Sequence, residues 1–295
     1  MQLVTSPKNE FKTVTENINS YKGMSKNASF WSIAYNSMIV RLLVWKRYGA
    51  EAIGSIVQLV ILMSVFFLFA TAVGFRGFTG FGTHEIYIFF MTGLLVMVFD
   101  GVSLYGPVNA MQRDLYNGTL EYIYFTPMRK YPYFLGYLLG SVITNSLIGF
   151  IPLLTILIWY ANLSVTNVMM IILVMSLLVL SLLSFGIIVS LSVILFKQVQ
   201  ALVSLLGLVM QFFTGAFIPV TSMPPYVRPI AIFFPHTWAY ELIRYYAYKG
   251  NWSLMLPLAY NWILIIGFTI VYTLAAVFLL RKAVTHAKHE GLHIL

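Results

Sequence analysis

The chain has 295 residues, 60% of them hydrophobic and only 9% charged, with a net charge of +9 and no cysteine. Soluble domains carry roughly 25% charged residues, so a water-covered surface over most of this chain is excluded, and a mean hydropathy of +0.84 marks a chain that uses lipid as its solvent. Without cysteine there is no disulfide, no thiolate metal site and no cysteine nucleophile.

Residues 1–26 are polar and turn-rich and contain no apolar core of the kind a cleavable signal peptide needs. They are read as a polar cytoplasmic N-terminus, with the first membrane helix directing insertion. Over 27–51, Phe30, Trp31, Ile33, Ala34, Ser37, Met38, Arg41, Leu42 and Trp45 recur near helical spacing, ahead of Lys46 and Arg47. This predicts an amphipathic helix in the membrane interface, its apolar face among acyl chains and its cations among headgroups. Six apolar segments follow, at about 52–74, 86–107, 134–160, 168–195, 201–219 and 257–280, so 52–280 reads as one all-α, six-span membrane domain and 281–295 as its tail.

Six spans place both termini on one side, and the cations decide which. Lys8, Lys12, Lys22, Lys26, Arg41, Lys46, Arg47, Arg113, Arg129, Lys130, Lys197, Arg281, Lys282 and Lys288 fall on the side of the termini, against Arg76, Arg228, Arg244 and Lys249 opposite. Lys and Arg are retained in the cytoplasm, so both termini are predicted cytoplasmic in a multi-pass protein of the cell membrane. The basic balance then follows from topology. Nucleic-acid binding would instead need a basic face on a soluble domain.

Asp100 is the one acid well inside a predicted span, and an intramembrane ionisable residue is a functional candidate by default. It stands seven residues, about 10 Å, before Pro107, and Asn145 on the third span reaches a similar depth. Two readings are open: a structural hydrogen bond between Asp100 and Asn145, or an inner vestibule or gate.

The loop after the second span reads RDLYNGTLEYIYFTPMRKYPYFLG. At about 100° per residue, Asp114, Asn117, Gly118 and Glu121 share one helical face, and Tyr116, Leu120 and Ile123 the other. Pro127 disfavours helix at Thr126, so the segment is predicted to be a short rod delivered into the third span at a fixed angle. The same pattern fits a helix that only connects two spans. Further on, Gly136 and Gly140 form a G-x-x-x-G suited to close helix packing.

Residues 220–256 are too apolar for a free loop yet are broken by prolines. They are expected to form short helices dipping into the outer leaflet, with Trp238, Tyr240, Tyr245, Tyr246, Tyr248 and Trp252 at headgroup level. Pro219, Pro224, Pro235, His236 and Glu241 are candidates for an outer gate. The tail holds His289, Glu290 and His293 in the spacing H-E-x-x-H, which on a helix binds zinc. Gly291 weakens that helix and no third ligand follows, so the site is rejected as catalytic, and no metal site is expected.

The segment DLYNGTLEYIYFTPMRKYPYFLGYLLG resembles the cytoplasmic loop of ABC-2 type permeases, in which an acidic residue and Gly-Thr-Leu-Glu precede Thr-Pro and a basic residue. GAFIPVTSMPPYVRPIAIFFPHTWAYELIRYY resembles the outer-leaflet segment of the same family. The resemblance implies a permease homodimer on two copies of a separate ATP-binding cassette subunit. Asp114, Asn117, Thr119, Leu120, Glu121 and Arg129 would then line a coupling helix on that subunit, Gly118 would allow close backbone approach, and Thr126 with Pro127 would be its mechanical stop. No G-x-x-x-x-G-K-[ST] phosphate cradle is present, so this chain is not expected to be the ATPase, and ATP and Mg are expected in the partner alone. The function so implied is export of an amphiphilic or hydrophobic substrate, a drug, peptide, lipid or lipid-linked glycan. A secondary transporter or channel, or a membrane scaffold conferring self-protection, are the competing readings; the former usually shows paired broken helices or several intramembrane charges.

Overall fold

The computed structural model describes residues 29–47, 49–72, 82–109, 112, 130–191 and 200–290. Its elements are all helices. Helix α1 (Phe30–Arg47) leads into α2 (Gly49–Ala72), followed by α3 (Thr83–Asp100), α4 (Lys130–Asn145), α5 (Ile151–Ala161), α6 (Val165–Ser190), α7 (Gln200–Phe213), the short α8 (Arg228–Ile232), α9 (Pro235–Ala247) and the 33-residue α10 (Leu258–Glu290). Among the described residues, five stretches are long and apolar enough to cross a membrane: Ala52–Thr71, Thr83–Asn109, Leu135–Ala161, Val165–Ser190 and Leu258–Lys282. The remaining apolar segment expected to span is α7, whose described part has 14 residues.

Two of these stretches contain a widened, π-helical turn, Gly101–Tyr105 after α3 and Ser146–Phe150 between α4 and α5. Each has the same cause in sequence. Pro107 and Pro152 each follow just beyond the turn, after a single intervening residue, and a proline neither donates to the carbonyl four residues back nor tolerates its ordinary position. Widening the turn moves that carbonyl, of Ser103 or Ile148, out of the ring's way. Asp100 and Asn145 immediately precede the two turns.

The core is built around α3. Every residue from Ile86 to Val96 is buried, as expected of a helix apolar on all sides. Phe66 of α2 stacks on Phe90 at 4.7 Å, and Phe89 packs on Trp252 beyond α9. Gly186 of α6 faces the Ser103 carbonyl so closely that a Cβ there would overlap it. α2 and α10 turn long apolar faces outward, including Ile53, Val60, Leu68, Ile263, Ile270 and Phe278, which is the surface of a chain solvated by lipid or by another membrane chain.

The Gly136–Gly140 pair packs closely, and the helix it receives is α1. A Cβ on Gly136 would overlap the Ala34 carbonyl, and one on Gly140 would meet Arg41 and the Met38 carbonyl. Arg41 Nε donates to Ser141 Oγ at 3.1 Å, and its guanidinium lies 5.4 Å from the Tyr137 ring. α1 therefore runs alongside the start of α4, in the same direction, and buries Ile33 and Ala34 while Trp31, Tyr35 and Leu43 stay exposed.

Candidate functional site

The segment between α7 and α10 folds as a re-entrant hairpin, and three contacts fix its register on α3. His236 Nε2 meets Asp100 Oδ1 at 2.8 Å, Arg244 Nε donates to Thr92 Oγ1 at 3.4 Å, and the Tyr248 hydroxyl donates to the Glu85 carbonyl. Rising numbers on one helix pair with falling numbers on the other, so α9 is antiparallel to α3. Asp100 is 17 residues from Thr83, about 25 Å along the helix. The Pro235 end of α9 is thus the deep end, and Tyr248 the shallow one.

Contacts with α10 agree. Trp262 Nε1 donates to the Tyr246 hydroxyl at 3.2 Å, and ten residues further along, the Tyr272 hydroxyl donates to the Phe233 carbonyl at 3.1 Å. Pro235 can occupy the first turn of α9 because its missing N–H has no partner to lose there. The chain turns at Phe233 and Phe234, and the Phe233 ring is 73% exposed at the tip.

This placement joins two groups of residues that the sequence kept apart. Asp100, read with an inner vestibule, is bonded to His236, read with an outer gate. Asn145 does not join them: its side-chain amide donates to the Ser141 carbonyl of its own helix at 3.0 Å. The Asp100–Asn145 hydrogen bond is therefore corrected. A helix that runs back along α3 from the Glu85 level to that of Asp100 supplies a partner that spacing along the spans could not disclose.

Buried polar atoms without a protein partner include Asp100 Oδ2 and His236 Nδ1 of the pair itself, and Ser103 Oγ, Tyr240 Oη and Ser181 Oγ. Ser103 is one turn along from Asp100, and Tyr240 is one turn along from His236, close enough for the Asp100 charge to act on its hydroxyl. The contact of Gly186 with Ser103 sets α6 beside the π turn, while Ser181 stands on the stripe of Leu177 and Ser184 that bonds α10 through Thr269 and Thr273.

Two turns shallower on α9 is a second constellation, which sequence reasoning missed. Arg244 is wholly buried, with its guanidinium 3.6 Å from the Phe89 ring centroid and within 5.5 Å of Tyr240 and Trp252. Its Nη2 donates to the Ala216 carbonyl at 3.0 Å. Glu241, one turn earlier, supplies the opposing charge, and its Oε2 accepts from the Met255 N–H at 3.0 Å. Arg244 had been counted as an outer-loop cation; it is part of the core and reports nothing about topology. Likewise Trp238, Tyr240, Tyr248 and Trp252 are buried against protein, since α9 packs against α3, α6 and α10. The available signal was an arginine within an aromatic-rich apolar stretch, which has to find a protein environment.

The other outer-gate candidates separate. Pro235 is buried at the hairpin tip, Pro219 is buried beside the 3₁₀ turn Val220–Ser222, and Pro224 is exposed, its carbonyl accepting from Val227 N. Asp114, Asn117, Gly118, Thr119, Leu120, Glu121, Thr126, Pro127 and Arg129 lie outside the described residues, as do Gly291 and His293 of the tail motif. Among the described residues no group of three His, Asp or Glu side chains could hold a metal.

Compared with known protein families, residues 28–248 match the family model described as ABC-2 type transporter. No curated protein matches the chain.

Proposed function

The chain belongs to the ABC-2 type transporter family, and from this premise we propose that it is the permease subunit of an exporter driven by ATP hydrolysis in a separate subunit. Membership makes it a multi-pass membrane component of an ABC transporter, not the ATPase, and implies an ATP-binding partner. The finer reading is outward movement of an amphiphilic or hydrophobic substrate, a drug, peptide, lipid or lipid-linked glycan, by two copies of the permease on two ATPases at the cell membrane, with both termini cytoplasmic.

The observation that carries this reading is the pairing of α3 with the re-entrant hairpin. One end of the second span leads directly into the segment 113–129, the candidate ATPase contact, and its other end carries the α9 register from Asp100 to Glu85. A tilt imposed on that loop would move a buried, rigid helix, and α9 would move with it. Opening of an outer gate upon closure of the ATPases follows from this mechanics, with Asp114, Glu121 and Arg129 as contacts, Gly118 as the point of close approach, and Thr126 with Pro127 as the stop.

The test is co-purification of the tagged chain with its ATP-binding subunit and measurement of ATPase activity in lipid, using wild-type protein and Glu121→Arg. A two-plus-two complex whose ATPase responds to transport substrate, and loses that response in the variant without losing membrane insertion, is the expected result. Unchanged stimulation in Glu121→Arg would remove the loop from the coupling path. Solute flux through the chain alone, with no ATPase bound, would favour a channel or secondary transporter.

A further inference from the structure

The polar cage around Asp100 contains more hydrogen-bonding capacity than the protein itself uses. Three buried polar atoms on α3 and α9, Asp100 Oδ2, His236 Nδ1 and Tyr240 Oη, lack protein partners. Buried polar groups in folded proteins are almost always paired, and where protein does not supply the partner an ordered water does. Below Asp100 the π turn opens the backbone as well, because Pro107 offers no N–H to the Ser103 carbonyl.

The Asp100–His236 contact, at 2.8 Å, joins a carboxylate to an imidazole. With Nε2–H donating to Oδ1, His236 Nδ1 is left as the free acceptor and faces no protein donor. In that state the pair carries one net negative charge in the membrane interior, where an uncompensated charge is costly. A proton added at Nδ1 converts the pair to imidazolium and carboxylate, with no net charge and a stronger bond. We propose that the cage is a hydrated proton-binding site, and that its occupancy sets how firmly the α8–α9 hairpin is held on α3.

The groups facing the pair permit this. On α9 they are Tyr240 and, two turns away, Arg244, whose guanidinium is engaged by Phe89 and the Ala216 carbonyl. α10 contributes Tyr272, already donating to Phe233. Among the described residues, no second acid lies against Asp100 to take the proton in its place.

The absence of cysteine makes the test direct, because one introduced thiol reports alone. Full-length protein carrying Phe233→Cys at the exposed tip is reconstituted in phosphatidylcholine vesicles and reacted with a small maleimide between about pH 5.5 and 8.5, the range in which imidazole titrates. Each rate is divided by that of the same protein with Asp100→Asn, which cancels the thiol's own titration. The expected ratio rises several-fold with pH and becomes flat when His236→Gln is added to the numerator. A flat ratio in the parent, or a step that survives His236→Gln, overturns the proposal. Should Asp100→Asn not insert, His236→Gln serves as the denominator, since its amide can still donate to Asp100. No ATPase or substrate takes part, so failure here is distinct from failure of the permease reading.

Discussion

Arg244 shows how a single charge can hold a membrane fold together. Its guanidinium is desolvated, stacked on Phe89 and bonded to Ala216, with Glu241 nearby to balance it. Removing one member of a buried charged group leaves the other unbalanced, so Arg244→Met is expected to destabilise the protein by about 3 kcal/mol, read as a lower midpoint of thermal unfolding in detergent. Arg244→Lys should restore little of this, because an ammonium neither stacks flat on Phe89 nor reaches Ala216 and Thr92 with one planar fork. Glu241→Gln should be milder, since its amide oxygen can still accept from Met255 N–H. In the sequence Glu241 stood out as a gate candidate, but its pairing with Arg244 did not, since Arg244 read only as a cation outside a span. By contrast, Asp100 stood out at once, because an acid inside a span needs a partner wherever the chain finds one.

At the scale of helices, contact distance separates glycines that the sequence cannot rank. Gly186 has the Ser103 carbonyl where a side chain would begin, whereas Gly267 of α10 has nothing within 4 Å. Gly186→Ala should force α6 away from the π turn and cost about 1–3 kcal/mol, as overpacking does. Gly267→Ala should be neutral or stabilise by up to about 1 kcal/mol, from helix propensity. Denaturation of both variants in one detergent checks the contrast. Five of the six expected spans and the helical pattern of α1 were readable because they rest on period and length, and so was the close packing of the Gly136–Gly140 pair. The π turns were written in the chain too, as a polar residue seven positions before a proline at Asp100 and Pro107 and again at Asn145 and Pro152. Their meaning becomes visible only when the proline is asked which carbonyl it displaces. The depth of α9 could not be read, since it depends on pairing between residues 136 positions apart.

For the molecule as a whole, the question is how many times it crosses. Five long stretches put the termini on opposite sides, and a crossing by α7 brings them to the same side. Cytoplasmic retention of cations favours the second arrangement. The cysteine-free background allows a parity test with an impermeant maleimide on intact cells: Val165→Cys, at the exposed start of α6, is expected to label from outside, and Ala287→Cys in α10 only after permeabilisation. Labelling of Ala287→Cys in intact cells would mean that α7 does not cross. The same helix has a further consequence. At 33 residues α10 is about 50 Å long, and a hydrocarbon layer of about 30 Å accommodates little more than half of it. The remainder is a stiff spar that emerges in continuous helix from the bilayer and carries Arg281 and Lys282 near its exit. A spar acts as a lever: a few degrees of tilt inside the membrane become an ångström or more of sideways travel at its far end, so whatever rests there feels small rotations of the core amplified.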